Sequence, residues 1–231
     1  MKSLLFFVSF LLSVSLFSID HSAWNTLLSK NVSSSGKVNY KAFKANKSEL
    51  DKYLNHLSSN APTSSWSSNE KLAYWINAYN AFTVKLIIDN YPLKSITDLD
   101  KPWDKKFISI GGKEYSLNDI EHNILRKEFN DPRIHFGIVC ASYSCPQLLN
   151  KAYTAKSVNA LLDIQAKRFI NDKTRNVISP TKVQLSEIFN WFKDDFTKNG
   201  SIIDYINKYS VISVNADADI SYLKYSWALN E

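Results

Sequence analysis

Within the stretch His135-Phe-Gly-Ile-Val-Cys140-Ala-Ser-Tyr-Ser-Cys145-Pro146 the chain places a histidine and both of its cysteines. Cysteine is a nucleophile only as thiolate, and a positive environment favours that form. The apolar run IHFGIVC over residues 134–140 has the length of a strand buried on both faces. Pro146 suits the first position of a helix, where its missing N–H costs nothing. Cys145 is then the helix N-cap, beside free N–H groups and the positive end of the helix dipole, with a lowered pKa. On a strand, His135 and Cys140 point to opposite faces, so His135 pairs more readily with Cys145 across the turn. Three chemistries fit these residues. One is a reactive thiol, with the second cysteine as helper or resolving partner. Another is a structural disulfide, a common fate of neighbouring cysteines in an oxidising compartment. The last is a metal site, for which His122, His135, Cys140 and Cys145 supply four ligands, although their spacing matches no familiar zinc signature. No metal ligand is assigned and no cofactor is expected. Of the other histidines, His21 and His56 lie in polar surroundings and read as surface residues.

Two carboxylates interrupt apolar faces. On a helix following Ser116, residues Leu117, Ile120, Ile124 and Leu125 mark the apolar arc; Glu121 falls inside it and His122 at its edge. On a helix following Ser186, Asp195 falls inside the arc of Ile188, Phe189, Phe192 and Phe196, and Asp194 outside it. A buried carboxylate is costly unless paired. Glu121 and Asp195 each require a partner, either the orienting position of a Cys–His–acid triad or a structural pair with Arg126 or Arg133. Asn77 and Asn80 share a helix face and must bond if buried. They either fix a loop or polarise a substrate carbonyl. Trp191 and Trp103 are candidates to line a substrate groove.

These residues need elements to hold them. Residues 41–56 read as helical and belong to an N-terminal helical part over about 20–56. The serine-rich stretch 57–69 reads as a linker. A long helix spans 70–90, capped by Ser67 or Ser68, with Leu72, Trp75, Ile76, Tyr79, Phe82 and Leu86 at helical spacing. Tyr91-Pro92 ends it. Residues 107–115 form a hairpin around Gly111-Gly112. Ser116 to Asp119 is a capping box opening a helix to about Phe129. Another helix covers about 155–171, a second hairpin turns at 179–181, and Ser186 caps a helix to about Phe196. A short helix and one or two short strands follow residue 202. The sum is α+β, a helix-dominated single domain over 19–231 with a small, mainly antiparallel sheet.

The chain has 231 residues, 45% of them hydrophobic, enough for a sizeable core. Five glycines and six scattered prolines exclude collagen-like and proline-rich architectures. The net charge of +6 is spread without runs, a solvated surface rather than a nucleic-acid patch. The opening MKSLLFFVSFLLSVSLFSID, with Lys2 before a short apolar run, has the layout of a secretory signal peptide over residues 1–18. The run is too short for a comfortable spanning helix. The expectation is an exported protein, periplasmic or secreted, with no stable membrane span after cleavage and no nucleic-acid partner.

The segments from Leu72 to Asn80, Tyr91-Pro92, Ser95-Ile96, Tyr115 to His122 with Leu125-Arg126, His135 to Pro146, Ile188 to Trp191 with Asp195-Phe196, and Tyr225 to Asn230 together resemble the domain of unknown function family 547. The resemblance runs over about residues 24–230. Ser226 departs from it, standing where the family pattern has an aspartate. The resemblance implies no established activity. Relatives that look intracellular imply that cysteines matching Cys140 and Cys145 do more than form a structural disulfide. The readings carried forward are a thiol-dependent enzyme acting on an amide or thioester, with an unknown small-molecule or peptide substrate, and a non-catalytic binding module braced by a Cys140–Cys145 disulfide. A zinc site is the third.

Overall fold

The computed structural model describes residues 19–231; the expected signal peptide lies outside the described residues. The described chain opens with α1 (Ser22–Asn31), α2 (Tyr40–Ala45) and α3 (Lys47–Ser59). In α3, Leu50, Tyr53, Leu54 and Leu57 recur at helical spacing and are buried. Tyr53 stacks on Trp24 of α1 with ring centroids 5.7 Å apart. His21 is not the surface residue its neighbours imply. It is buried with Nδ1 2.7 Å from the Tyr53 hydroxyl, and burial lowers its pKa to about 4. Polar sequence neighbours could not reveal a partner 32 residues away.

The serine-rich linker shrinks to residues 60–67, because α3 continues to Ser59. Leu57 is fully buried there and its carbonyl accepts from the Tyr74 hydroxyl. The long helix α4 (Ser68–Asp89) starts at a capping box between Ser67 and Glu70. Its middle is buried all round, from Leu72 to Val84, so it runs through the core rather than over it.

A short 3-10 turn (Ile96–Asp98) leads to the hairpin of β1 (Ile108–Ile110) and β2 (Lys113–Tyr115). Its turn needs the positive φ of Gly111 and Gly112. Ser116 and Asp119 exchange capping hydrogen bonds, as their spacing predicts. The helix they open is a π-helix over Asp119–Leu125, continued by α5 (Arg126–Phe129).

Residues 134–140 are not a strand. They form the one-turn helix α6 (Ile134–Gly137) followed by extended chain. The turn is nucleated at Asp131-Pro132, where the Asp131 carboxylate accepts from the Arg133 N–H and guanidinium. No neighbouring strand receives the backbone either; Asn80 takes the bonds of Gly137 and Val139 instead. Gly137 lets the chain pack closely here, since a Cβ would come within 2.7 Å of Leu162 Cδ2 and force that side chain to shift.

No helix begins at Pro146, so Cys145 is not an N-cap and the dipole argument for a lowered thiol pKa fails. Residues 142–144 bond instead to the C-terminal segment, with Tyr143 N–H donating to Ala228 and Ser144 N–H to Ser226. That pairing holds the turn extended.

The remainder comprises α7 (Val158–Ile170), β3 (Val177–Ile178), β4 (Lys182–Ser186), α8 (Ile188–Trp191), α9 (Lys193–Phe196), α10 (Ile202–Asn207) and β5 (Asp219–Leu223). The helix expected up to Phe196 breaks at Phe192 into α8 and α9. The second sheet has the order β3-β4-β5, with the expected antiparallel hairpin on one side of β4 and a parallel β5 on the other. The architecture is helix-dominated α+β. Two buried apolar clusters meet along α6 and α7, one around α4 and the other around Phe136, Phe169, Phe189 and Phe196. Among the described residues, no helix is long and apolar enough to cross a membrane.

Candidate functional site

A cleft of about 170 Å³ opens where α4, the π-helix, the 138–146 segment, α8 and the C-terminal segment converge. Trp103, Trp191, Phe192, Tyr225 and Trp227 form its aromatic side. Trp191 and Trp227 stack with centroids 5.8 Å apart at 16°, and Tyr225 lies 4.8 Å from Trp191. Trp191 is 48% exposed, so this wall is partly open to solvent. Tyr79, Glu121, His122 and His135 line the polar side, and Cys140, Cys145 and Pro146 close the end.

The buried polar chain is built on the two carboxylates. The π-helix puts Glu121 and Ile120 together on the inward face, and Arg126 closes the wide turn by donating its N–H to the Glu121 carbonyl. Glu121 Oε2 accepts from the Tyr79 hydroxyl at 3.2 Å, and Oε1 lies 3.9 Å from His135 Nδ1. His135 Nε2 donates to Asp195 Oδ2 at 2.8 Å. Arg126 Nε donates to the same oxygen at 2.6 Å, and its Nη1 donates to His122 Nδ1 at 3.1 Å. The His135 ring is sandwiched against Phe192, 4.0 Å between centroids.

These contacts set the protonation states. Burial raises the Glu121 carboxyl to about 7, against the opposing Tyr79 hydrogen bond and Arg126 charge. Burial pushes Asp195 upward too, but the hydrogen bonds and charges of His135 and Arg126 outweigh it and hold that carboxylate well below its usual range. Burial lowers both His135 and His122, with the Arg126 charge acting in the same direction. The imidazoles are therefore neutral near pH 7. Neutral His135 carries its proton on Nε2 and turns a bare Nδ1 towards Glu121.

Cys140 and Cys145 are joined as a disulfide, Cα atoms 6.2 Å apart. The Tyr225 hydroxyl and Ser142 Oγ each lie 3.3 Å from Cys140 Sγ. Ser142 also donates to Tyr225. No hydrogen bond joins either sulfur to a histidine among the described residues, so the Cys–His–acid triad expected from the sequence is not assembled. His135 gives Nε2 to Asp195 and turns Nδ1 towards Glu121, 3.9 Å away. Of the four metal ligands considered, both sulfurs are paired. Among the described residues no group of three or more His, Cys, Asp or Glu is placed to hold a metal ion.

Asn77 and Asn80 do not line the cleft. The Asn77 amide clamps Tyr153, giving a bond to its carbonyl and taking one from its N–H. Asn80 clamps Gly137 O and Val139 N–H in the same way. Of their two readings, loop fixing fits and substrate polarisation does not. Asp195 stands behind His135 rather than in the cleft, paired with Arg126 as its burial demanded. Trp191 and Trp103 both line the cleft. Sequence reasoning passed over the phenols of Tyr79 and Tyr225. Tyr79 is disguised as one more apolar position of the α4 stripe. The alternation of Tyr225 and Trp227 was the available signal, since residues two apart share a face of extended chain.

Residues 63–170, about half of the chain, match the family model described as "Protein of unknown function, DUF547". The chain belongs to the DUF547 family. No curated protein and no solved structure matches it. The DUF547 match is narrower than the resemblance over 24–230. It includes Tyr79, Glu121, His122, His135 and both cysteines, and ends before Trp191, Asp195, Tyr225 and Trp227. The polar side of the cleft thus comes from the DUF547 region and most of the aromatic side from the chain after it.

Proposed function

We propose that this DUF547 protein is an exported binding protein whose small-molecule ligand occupies the aromatic cleft, with Cys140–Cys145 bracing the end wall. The observation that carries this reading is the open wall of Trp191 and Trp227 facing a buried polar side built on Glu121 and His135. Apolar walls with a few placed polar groups are the usual make-up of small-ligand sites. Export rests on the layout of residues 1–18 and suits a disulfide. Calorimetric titration with benzamide, a neutral aromatic probe, tests the cleft. Saturable binding that Trp191→Ala abolishes supports the reading; no binding, or binding that ignores Trp191, counts against it.

One observation favours a second reading, a thiol-dependent enzyme acting on an amide or thioester. Cys140 Sγ sits on the cleft with two hydroxyls at 3.3 Å. After reduction the Tyr225 hydroxyl, which accepts from Ser142, would donate to a thiolate and stabilise it. Intact mass after alkylation without reductant separates the two. Protein from its own compartment that takes no label, native or unfolded, fits the brace. Fast native labelling of one cysteine at mildly acidic pH fits the enzyme.

A further inference from the structure

The chain carries 28 lysines and arginines, and among the described residues none lines the cleft. Of the guanidiniums near the cleft, Arg126 is committed to Asp195 and His122, and Arg175 packs over the Tyr143 ring outside the lining. The two imidazoles at the cleft are neutral for the reasons given above. Among the described residues that line the cleft, Glu121 is then the group that can carry charge near pH 7, and that charge is negative. Asn118 adds a second acceptor there, because its Nδ2 donates to Asp104 and its carbonyl oxygen is left over. The opposing ring faces of Trp191, Trp227 and Tyr225 present the negative side of their quadrupoles. A basic protein has collected acceptors, a carboxyl and π-faces at one place and kept its cations out.

We propose that the cleft binds an organic cation, a protonated amine or amidine on a planar apolar body, with its N–H groups on Glu121 and its ring against the tryptophan wall. This inference rests on the reading of the cleft as a ligand site. An anionic ligand would meet no cation there, and a neutral one would leave the buried carboxyl without a charge to pair.

The charge state of Glu121 makes such binding proton-linked. Glu121 faces Tyr79 from α4, His122 and Arg126 from its own helix and its continuation, His135 from α6, Asp195 from α9 and Tyr225 from the C-terminal segment. With burial holding its carboxyl near 7, a cation arriving at neutral pH displaces a proton. Affinity therefore rises with pH until Glu121 is ionised in the free protein, and levels off above.

Calorimetry on the full chain with benzamidine and its neutral analogue benzamide tests this, benzamidine remaining charged throughout. The expected result is tighter binding of benzamidine than of benzamide. Its affinity should rise about tenfold between about pH 6 and about pH 8, as a group of pKa near 7 passes from about a tenth to about nine tenths ionised. Benzamide should show no such rise. Glu121→Gln should erase the preference and the pH dependence while leaving benzamide binding. The wild-type pH profile needs no variant, so a misfolded Glu121→Gln would not decide the matter. Equal affinity for the two probes, or a benzamidine affinity flat with pH, overturns the cation assignment but leaves the cleft as a ligand site. Absence of binding by both at millimolar concentration overturns both.

Discussion

Two groups of buried polar side chains meet at α6 and the loop after it, and they are built on different principles. On the α4 side, Asn77 and Asn80 grip backbone with both ends of their amides. Those groups cannot titrate, and every atom they offer is used. On the π-helix side, Glu121, His135, Asp195 and Arg126 hold one another by side chains, with a 3.9 Å gap between Glu121 and His135. Only the second group can change charge. Amide pins make a loop rigid, whereas the ionisable chain keeps a buried proton within reach of the cleft. The arrangement assigns scaffolding to the asparagines and chemistry to the carboxyl side.

The largest effect should come from breaking the scaffold. Asn80→Ala leaves the Gly137 carbonyl and Val139 N–H buried without partners, at about 1–3 kcal/mol for each unsatisfied group. We expect about 3 kcal/mol of lost stability in chemical denaturation, with little dependence on pH. A strongly pH-dependent loss would mean that the pins and the ionisable chain are one unit.

Glu121→Gln should do the opposite. A carboxyl whose folded pKa is raised from 4.5 to about 7 binds more protons in the folded than in the unfolded state between those values. Its contribution is full below the unfolded pKa and is lost as pH rises through the folded one, to a total of about 3 kcal/mol. The histidines of lowered pKa, His21, His122 and His135, have the other sign, losing stability as pH falls below 6.5. Wild-type stability alone therefore mixes the two. The difference between Glu121→Gln and wild type isolates the carboxyl. It should move in favour of the variant from about pH 4.5 to about pH 7 and then stay level. A difference independent of pH would place Glu121 with the asparagines.

Much of this contrast was legible before any coordinates, and the misses share one cause. Both hairpins, the Ser67 cap (one of two serines offered) and the capping box at Ser116 were local signals, and each stands in the structure. Glu121 and Asp195 were flagged because they spoiled an apolar arc, and both are buried. The strand over 134–140 failed because its backbone bonds go to a side chain on α4. The Cys145 N-cap failed because residues 142–144 pair with residues 226 and 228, and His21 misled because its partner is Tyr53. The π-helix, Tyr79 and Tyr225 were missed for the same reason. Long-range partners decided each of them, and a single sequence prints local pattern far more clearly than distant pairing.

Reduction of the disulfide lies between the two regions in its effect. Closing so short a loop limits the entropic gain, and about 2 kcal/mol is expected from the bridge. Reduction under native conditions should lower stability by that amount. If the brace serves only the wall, the Glu121 pH signature should survive reduction unchanged. A shift in that signature would show that the disulfide and the carboxyl share the cleft electrostatically.

Trp191→Ala should have the smallest effect on stability and so gives the cleanest separation of scaffold from site. The ring is 48% exposed, and its contacts are with Trp227 and Tyr225 on the cleft surface rather than with either buried cluster. Removing it leaves no sealed cavity for the core to collapse into and no orphaned hydrogen bond. Aromatic pairs of this kind are worth about 0.5–1.5 kcal/mol, so a loss of no more than about 1 kcal/mol is expected. A larger loss would mean that the aromatic wall is structural, and the distinction between a rigid scaffold and an expendable binding face would have to move inward to the carboxyl itself. A small loss accompanied by lost benzamide binding places the boundary at the ring. Trp191 would then serve the ligand while the asparagines behind it serve the fold.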